Sequence, residues 1–236
     1  MQPPKQNKKI LLIDIETSPL VAYTWGMYEQ NVIKKIRAFQ ILSVAYQWLG
    51  EKTKVIACDT QSEKSLLKKL HELLDKAEIV IAHNGDSFDI KKINTRFIIH
   101  KFSPTSPYKT IDTKKEAKKI ACFDSNKLNE LGLDMEEGEK VKHRGFDMWV
   151  GCLAGNKKDW AEMKKYNKAD VDLLARIYLR LRSWMKTHPN INLYTENIDL
   201  TNCRACGSEN TRRSGFSYTS RTKRQRFFCN DCRHWF

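Results

Sequence analysis

Residues 9–15 read Lys-Ile-Leu-Leu-Ile-Asp-Ile, an apolar run that predicts a buried strand. Runs of similar character at 40–48 and 53–58, separated by turn signals around Gly50, predict a second and a third strand. The period then changes. Leu66, Leu67, Leu70, Leu73 and Leu74 recur at helical spacing within 62–76. A short β-rich run at 78–82 follows, then the loop Asn-Gly-Asp-Ser and a helix expected from Phe88 to about Phe102. Residues 103–158 carry Pro104, Pro107 and several glycines and predict only short helical pieces. A long helix is expected from Asp159 to Met185, with Pro189 just beyond it where helix continuation fails. Strands that begin antiparallel-like and then alternate with helices predict an α/β fold, a mixed sheet flanked by helices.

With 236 residues the chain can bury one substantial core with a small appendage, or two small domains. The pattern divides it into a domain over 8–187, a linker over 188–200 and a cysteine-bearing tail over 201–236. No run approaches the roughly 18 apolar residues of a membrane span. The basic segment 1–9 lacks the apolar stretch of a secretory signal, so a cytoplasmic protein with no membrane partner is expected. Lys and Arg total 42 against 28 acidic residues, a formal charge of +14 that favours polyanionic partners. Solvated lysine faces would explain the charge equally well.

Carboxylates narrow the choice. Asp14 and Glu16 are two apart at the end of the first strand, so a strand places both on one face. A cation or a solvated strand end would each account for that pair. Asp89 falls in the first turn of a helix, where the macrodipole alone favours an acid, and Asp86 is an equally plausible loop residue. Asp170 is more informative. The apolar stripe of the long helix runs through Met163, Leu173 and Ile177, and Tyr166 and Asp170 complete its three-four spacing. A carboxylate in a buried stripe is costly without a metal or cationic partner. Asp172 points elsewhere and is expected to meet water.

Asp-Ile-Glu-Thr at 14–17, Asn-Gly-Asp-Ser-Phe-Asp at 84–89 and Tyr-Asn-Lys-Ala-Asp at 166–170 resemble, in order and spacing, the three exonuclease motifs of the DEDD superfamily. The tyrosine four residues before the last aspartate is similar to the DEDDy branch, above all the proofreading domain of family B DNA polymerases. The resemblance covers 8–187 and implies a ribonuclease H-like fold with a five-stranded mixed sheet. It implies that Asp14, Glu16, Asp89 and Asp170 hold two Mg²⁺ or Mn²⁺ ions, Asp14 bridging them, and that Tyr166 orients the attacking water. Thr17 and Leu20 fall where related enzymes contact and wedge the terminal nucleotide. Asn84 and Phe88 fall where substrate is positioned, although Leu20 could be core packing. No polymerase domain follows, and 123–128 and 139–149 resemble insertions, as in stand-alone exonuclease-like proteins of phage and bacterial genomes.

The seven cysteines divide into Cys58, Cys122 and Cys152, scattered singly, and two CxxC pairs, Cys203/Cys206 and Cys229/Cys232. In a cytoplasmic chain that division predicts a closed four-thiolate site for one structural Zn²⁺, a zinc ribbon, over two disulfides. His234 lies close enough to be a spare ligand but is expected on the surface. Arg212, Arg213, Arg221, Lys223, Arg224 and Arg226 sit among Phe216, Tyr218, Phe227, Phe228 and Trp235. Cations for phosphates and aromatics for bases suit single-stranded nucleic acid. A small aromatic core with solubilising arginines is the bland alternative.

The leading expectation is therefore a metal-dependent 3′–5′ exonuclease acting on nucleic acid, DNA ahead of RNA, with replication or repair proteins as candidate partners. A ribonuclease H-like structure-specific endonuclease and a non-catalytic nucleic-acid-binding module are the alternatives.

Overall fold

A computed structural model describes residues 10–28, 31–194 and 198–236; the basic segment 1–9 and part of the expected linker, 195–197, lie outside them. At its centre is β1 (Ile10–Thr17). It pairs antiparallel with β4 (Ile41–Trp48) and parallel with β6 (Ile79–Ala82). The antiparallel partner β5 (Lys54–Ala57) and the parallel partner β7 (Lys109–Asp112) complete a five-stranded sheet in the order β5-β4-β1-β6-β7. Strands 2 and 3 of the expected set are thus β4 and β5.

Both faces of the sheet are covered, and the alternation in β1 decides what each face meets. Leu11, Ile13 and Ile15 join the layer under α1 (Glu63–Lys76) and α2 (Asp89–Ile99). Ile10 and Leu12 join the opposite layer, under α3 (Thr113–Ile120), α4 (Leu128–Asp134) and α6 (Lys157–Arg182). Asp14 and Glu16 share the parity of Ile10 and Leu12 and so face α6. α5 (Phe146–Leu153) packs beside α6 near its start.

α1 forms as its leucine pattern predicts: Ser62 caps it by accepting from Ser65 N–H, and Leu66, Leu67, Leu70 and Leu74 are fully buried. Each such burial is worth roughly 1.5–3 kcal/mol against the exposed side chain. Glu63 in its first turn accepts from Ile41 N–H at 2.8 Å and is paired with Arg96 of α2 at 2.5 Å. This buried pair ties two helices to the start of β4. α2 ends at Ile99, short of Phe102, because Lys101 turns left-handed at φ 61°. α6 starts at Lys157, two residues earlier than Asp159, behind the cap Asn156, whose side chain accepts from Lys158 N–H.

Two antiparallel hairpins complete the fold. The sequence pattern assigns no element to residues 18–39, but β2 (Val21–Tyr23) and β3 (Lys34–Arg37) pair there. In the tail, β8 (Thr211–Tyr218) pairs with β9 (Lys223–Cys229). After α6, a 3-10 turn at Ile191–Tyr194 seats Ile191 in the α6-side core, and Ile191 N–H donates to Arg204 O at 2.8 Å. His234, expected on the surface, is instead buried, with Nδ1 3.1 Å from Ser183 O at the end of α6. It helps to seat the tail against the helix. No helix among the described residues is long and apolar enough to cross a membrane.

Candidate active site

The end of β1 and the middle of α6 meet across the sheet face. One carboxylate oxygen each from Asp14, Glu16 and Asp170 lies within 4.8 Å of the others. Asp170 is 2% exposed, flanked along its stripe by Met163, Tyr166, Leu173 and Ile177, all buried. Asp89, buried in the first turn of α2, turns toward β1, where its Oδ1 accepts from Ile15 N–H at 3.1 Å. The structure therefore brings Asp14, Glu16 and Asp170 into one cluster and sets Asp89 against the same strand end.

Crowding four acids in a poorly solvated place disfavours their charged forms. Burial, with Asp170 as neighbour, pushes Glu16 up to about 8. Burial pushes Asp89 up to about 7, although the Ile15 N–H opposes it. Asp14 is held well above the carboxylate range by burial and then by Asp89, Glu16 and Asp170. Burial also raises Asp170, against the pull of Lys140.

Lys140 lies in the loop before α5. Its Nζ is 2.6 Å from Asp170 Oδ2 and donates to the Tyr166 hydroxyl at 2.7 Å. Burial works against that ammonium, yet Asp170 and Tyr166 hold it above its ordinary value. Tyr166 itself is pushed up to about 12 by burial and then by Asp170, so it stays protonated at neutral pH. His143 and Trp149 pack edge-on around its ring, at 4.5 and 6.4 Å. Asn167, fully buried, donates through Nδ2 to Asp14 Oδ2 at 2.6 Å, while its Oδ1 accepts from Ser43 Oγ of β4.

Sequence reasoning missed Lys140 and Asn167 as members of this site. Asn167 was within reach, since it stands three residues before Asp170 on the same buried stripe. Lys140 carries no such signal, because no period governs a loop. Asp172, expected to meet water, is half-buried and accepts from Thr53 Oγ1. Thr53, just before β5, holds that hydroxyl against α6.

The remaining expected residues are not part of the three-carboxylate group. Thr17 ends β1 opposite Ile41, at an irregularity that follows Glu16. Leu20 is 50% exposed. Asn84 turns left-handed at φ 64°; its N–H donates to Asp112 Oδ1 and its side chain accepts from Lys114. Phe88 precedes α2, is partly exposed and lies under Lys92. Asp86 pairs with Lys115 at 2.8 Å.

The donor set suits a hard divalent cation. It is all carboxylate oxygen, and Asp170 Oδ1 is buried without a hydrogen-bond partner. A model of the RNase H superfamily matches residues 11–182, which span the sheet from the second residue of β1 onward and every residue of the cluster. The chain belongs to the RNase H superfamily. Its mixed five-stranded sheet is the fold of that superfamily, and metal-dependent nuclease activity is what membership implies. No curated protein matches the chain.

Beyond the RNase H domain, the four paired cysteines converge. Cys203 and Cys232 Sγ are 3.5 Å apart, and Cys206 and Cys229 Sγ 3.6 Å, far beyond a disulfide's roughly 2 Å bond. All four sulfurs lie within 4.8 Å of one another. Each pair is followed by a left-handed residue, Gly207 at φ 71° and Arg233 at φ 63°. Only at the first does glycine relieve the cost. The cluster is consistent with a small zinc ribbon. On its hairpin, Arg212, Arg213, Arg221, Lys223, Arg224 and Arg226 are all exposed. Arg212 stacks over Phe228, Lys223 over Phe216, and Arg226 over Trp235, at 5.1, 4.1 and 4.9 Å.

Proposed function

We propose that this RNase H superfamily chain is a DEDDy-type 3′–5′ exonuclease that removes nucleotides from single-stranded DNA. The observation that carries the reading is the group formed by Tyr166, Asp170 and Lys140 opposite Asp14 and Glu16. Asp14, Glu16 and Asp170, with Asp89 behind β1, would hold two Mg²⁺ or Mn²⁺ ions. Two such cations, when bound, lower the pKa of water and stabilise the departing 3′-oxygen.

The side chains divide the remaining work. Tyr166 is too weak an acid to serve as the base, so it holds the attacking water through its hydroxyl. Lys140 fixes that hydroxyl by donating to it, and its charge offsets the phosphate's. Asn167 fixes the Asp14 carboxylate from the β4 side. Water adds to phosphorus, the bond to the 3′-oxygen breaks, and a 5′-nucleotide leaves behind a strand with a new 3′-hydroxyl. Thr17, Leu20, Asn84 and Phe88 would meet the terminal nucleotide. A Zn²⁺ ion on Cys203, Cys206, Cys229 and Cys232 would hold the hairpin together, so that its six basic side chains track phosphates.

The test is digestion of a 5′-labelled single strand with Mn²⁺. A ladder that shortens from the 3′ end and vanishes in Asp14→Ala supports the reading. Discrete internal cuts would support an endonuclease instead, and tight binding without cleavage would support a binding module.

A further inference from the structure

Between β1 and β4 the chain leaves the body of the protein as an arm. β2 and β3 pair along it, and its foot is latched twice: Ser18 N–H donates to Gln40 O at 2.8 Å, and Gln40 N–H to Ser18 Oγ at 2.9 Å. The arm buries almost nothing. Tyr23 is 61% exposed, Trp25 84%, Met27 93% and Tyr28 94%, and Leu20, Val32, Ile33 and Ile36 are each about half exposed. Three aromatic rings held in water on a two-stranded hairpin do nothing for the core, and apolar surface of that kind marks a contact site.

Charge chooses the occupant. Lys34, Lys35 and Arg37 line β3, all exposed, and the sequence between Ser18 and Gln40 holds a single acid, Glu29. Cations alternating with rings match phosphates alternating with bases. Position strengthens the match. Phe39, at the foot of the arm, lies under Lys92 Nζ at 3.7 Å, and the same ammonium is 5.5 Å from the Phe88 ring. Phe88 is the neighbour of Asp89, whose carboxylate binds Ile15 N–H. Phe88, Lys92 and Phe39 thus form a ring–cation–ring row from beside Asp89 to the foot of the arm.

We propose that the β2–β3 arm is a second nucleic-acid-binding element, a clamp for unpaired nucleotides of the strand that enters the carboxylate site. Tyr23, Trp25 and Tyr28 are its stacking platforms, and Lys34, Lys35 and Arg37 meet its phosphates. The proposal rests on the nuclease reading for the identity of the strand, but not for the test of binding.

Two measurements decide it. The full chain and its Trp25→Ala/Tyr28→Ala variant are compared for anisotropy of a labelled oligonucleotide of about 20 nucleotides, with chelator present to prevent cleavage. Losing two stacked bases weakens binding by at least about tenfold. The thermal melt, and hydrolysis of thymidine 5′-(p-nitrophenyl phosphate), which is too small to reach the arm, stay at wild-type values. In the second measurement, oligonucleotides carrying 5-iodouracil are photocrosslinked to the wild-type chain, and adducts are expected on Tyr23, Trp25 or Tyr28.

Unchanged affinity with no adduct on those residues overturns the clamp. So does arm-dependent self-association in sedimentation that oligonucleotide does not reverse, which would make a second copy the occupant. If wild type hydrolyses neither substrate, the nuclease reading falls, and anisotropy and crosslinking still decide the clamp.

Discussion

Loading the carboxylate site with metal should expel protons, and the number is set by the crowding of its acids. At pH 7 a Glu16 carboxyl at about 8 is protonated in roughly ten molecules for each one ionised, and an Asp89 carboxyl at about 7 is half protonated. Asp14 stands well above the ordinary range and adds to the total. A divalent cation takes only ionised oxygens, so saturation at pH 7 should release more than one proton per protein. At pH 9 Glu16 is already about nine-tenths ionised and Asp89 almost fully so, and the release should fall by slightly more than one proton. Calorimetric titration of metal-free protein with Mn²⁺, repeated in buffers of different ionisation enthalpy, reads this number from the slope of observed heat against buffer enthalpy. A slope near zero at pH 7, or one that does not shrink by pH 9, would refute the reasoning: the acids would already be charged, as in a solvated strand end.

The same shifts fix the sign of stability against pH. The folded metal-free protein binds protons at Glu16 and Asp89 more tightly than the unfolded chain does. The buried His83 and His188, pushed down to about 4, oppose that trend until they are neutral in both states. The melting temperature should therefore fall as pH rises from about 6.5 to about 8. Saturating Mn²⁺ should reduce that fall, and a melting temperature that climbs over this window without metal would contradict the shifts. Lys140→Met removes the donor that fixes the Tyr166 hydroxyl, and misplacing the attacking water should lower kcat by about 10²-fold with KM little changed. An equal loss in both kcat and stability would make Lys140 a packing residue only. Stripping metal from the cysteine cluster with a thiol-competing chelator should release one Zn²⁺ and unfold the β8–β9 hairpin, so that trypsin cuts at its already exposed arginines, while helical circular dichroism changes little. Finding no metal, or finding disulfides by mass spectrometry, would remove the zinc ribbon.

What the sequence revealed follows from how each element is stabilised. α1 and α6 are long and periodic, and each buries the face that its pattern announces; β1 is a continuous apolar run and is buried on both faces. Asp170 was legible for the same reason, as a polar break in an apolar stripe. β7 was not, because a four-residue edge strand with Lys109 and Thr110 exposed has no period to read. α4 is held by tertiary contact: a Cβ on Gly132 would meet Gly138 O at 2.3 Å, so the close approach of that loop shapes the helix. The β2–β3 arm stayed hidden because exposed residues carry no burial pattern. Lys140 and the Asp172–Thr53 contact depend on which loop or strand faces α6, which only the assembled sheet decides.

Cleavage from a free end under control of the carboxylate cluster is what separates an exonuclease from the other readings of this fold. A linear single strand and a covalently closed circle of the same sequence are incubated with wild type and with Asp14→Asn, in Mn²⁺ and in chelator. Mononucleotide release from the linear strand alone, by wild type with Mn²⁺ alone, is the predicted result. Linearisation of the circle by wild type, or undiminished release by Asp14→Asn, would contradict it.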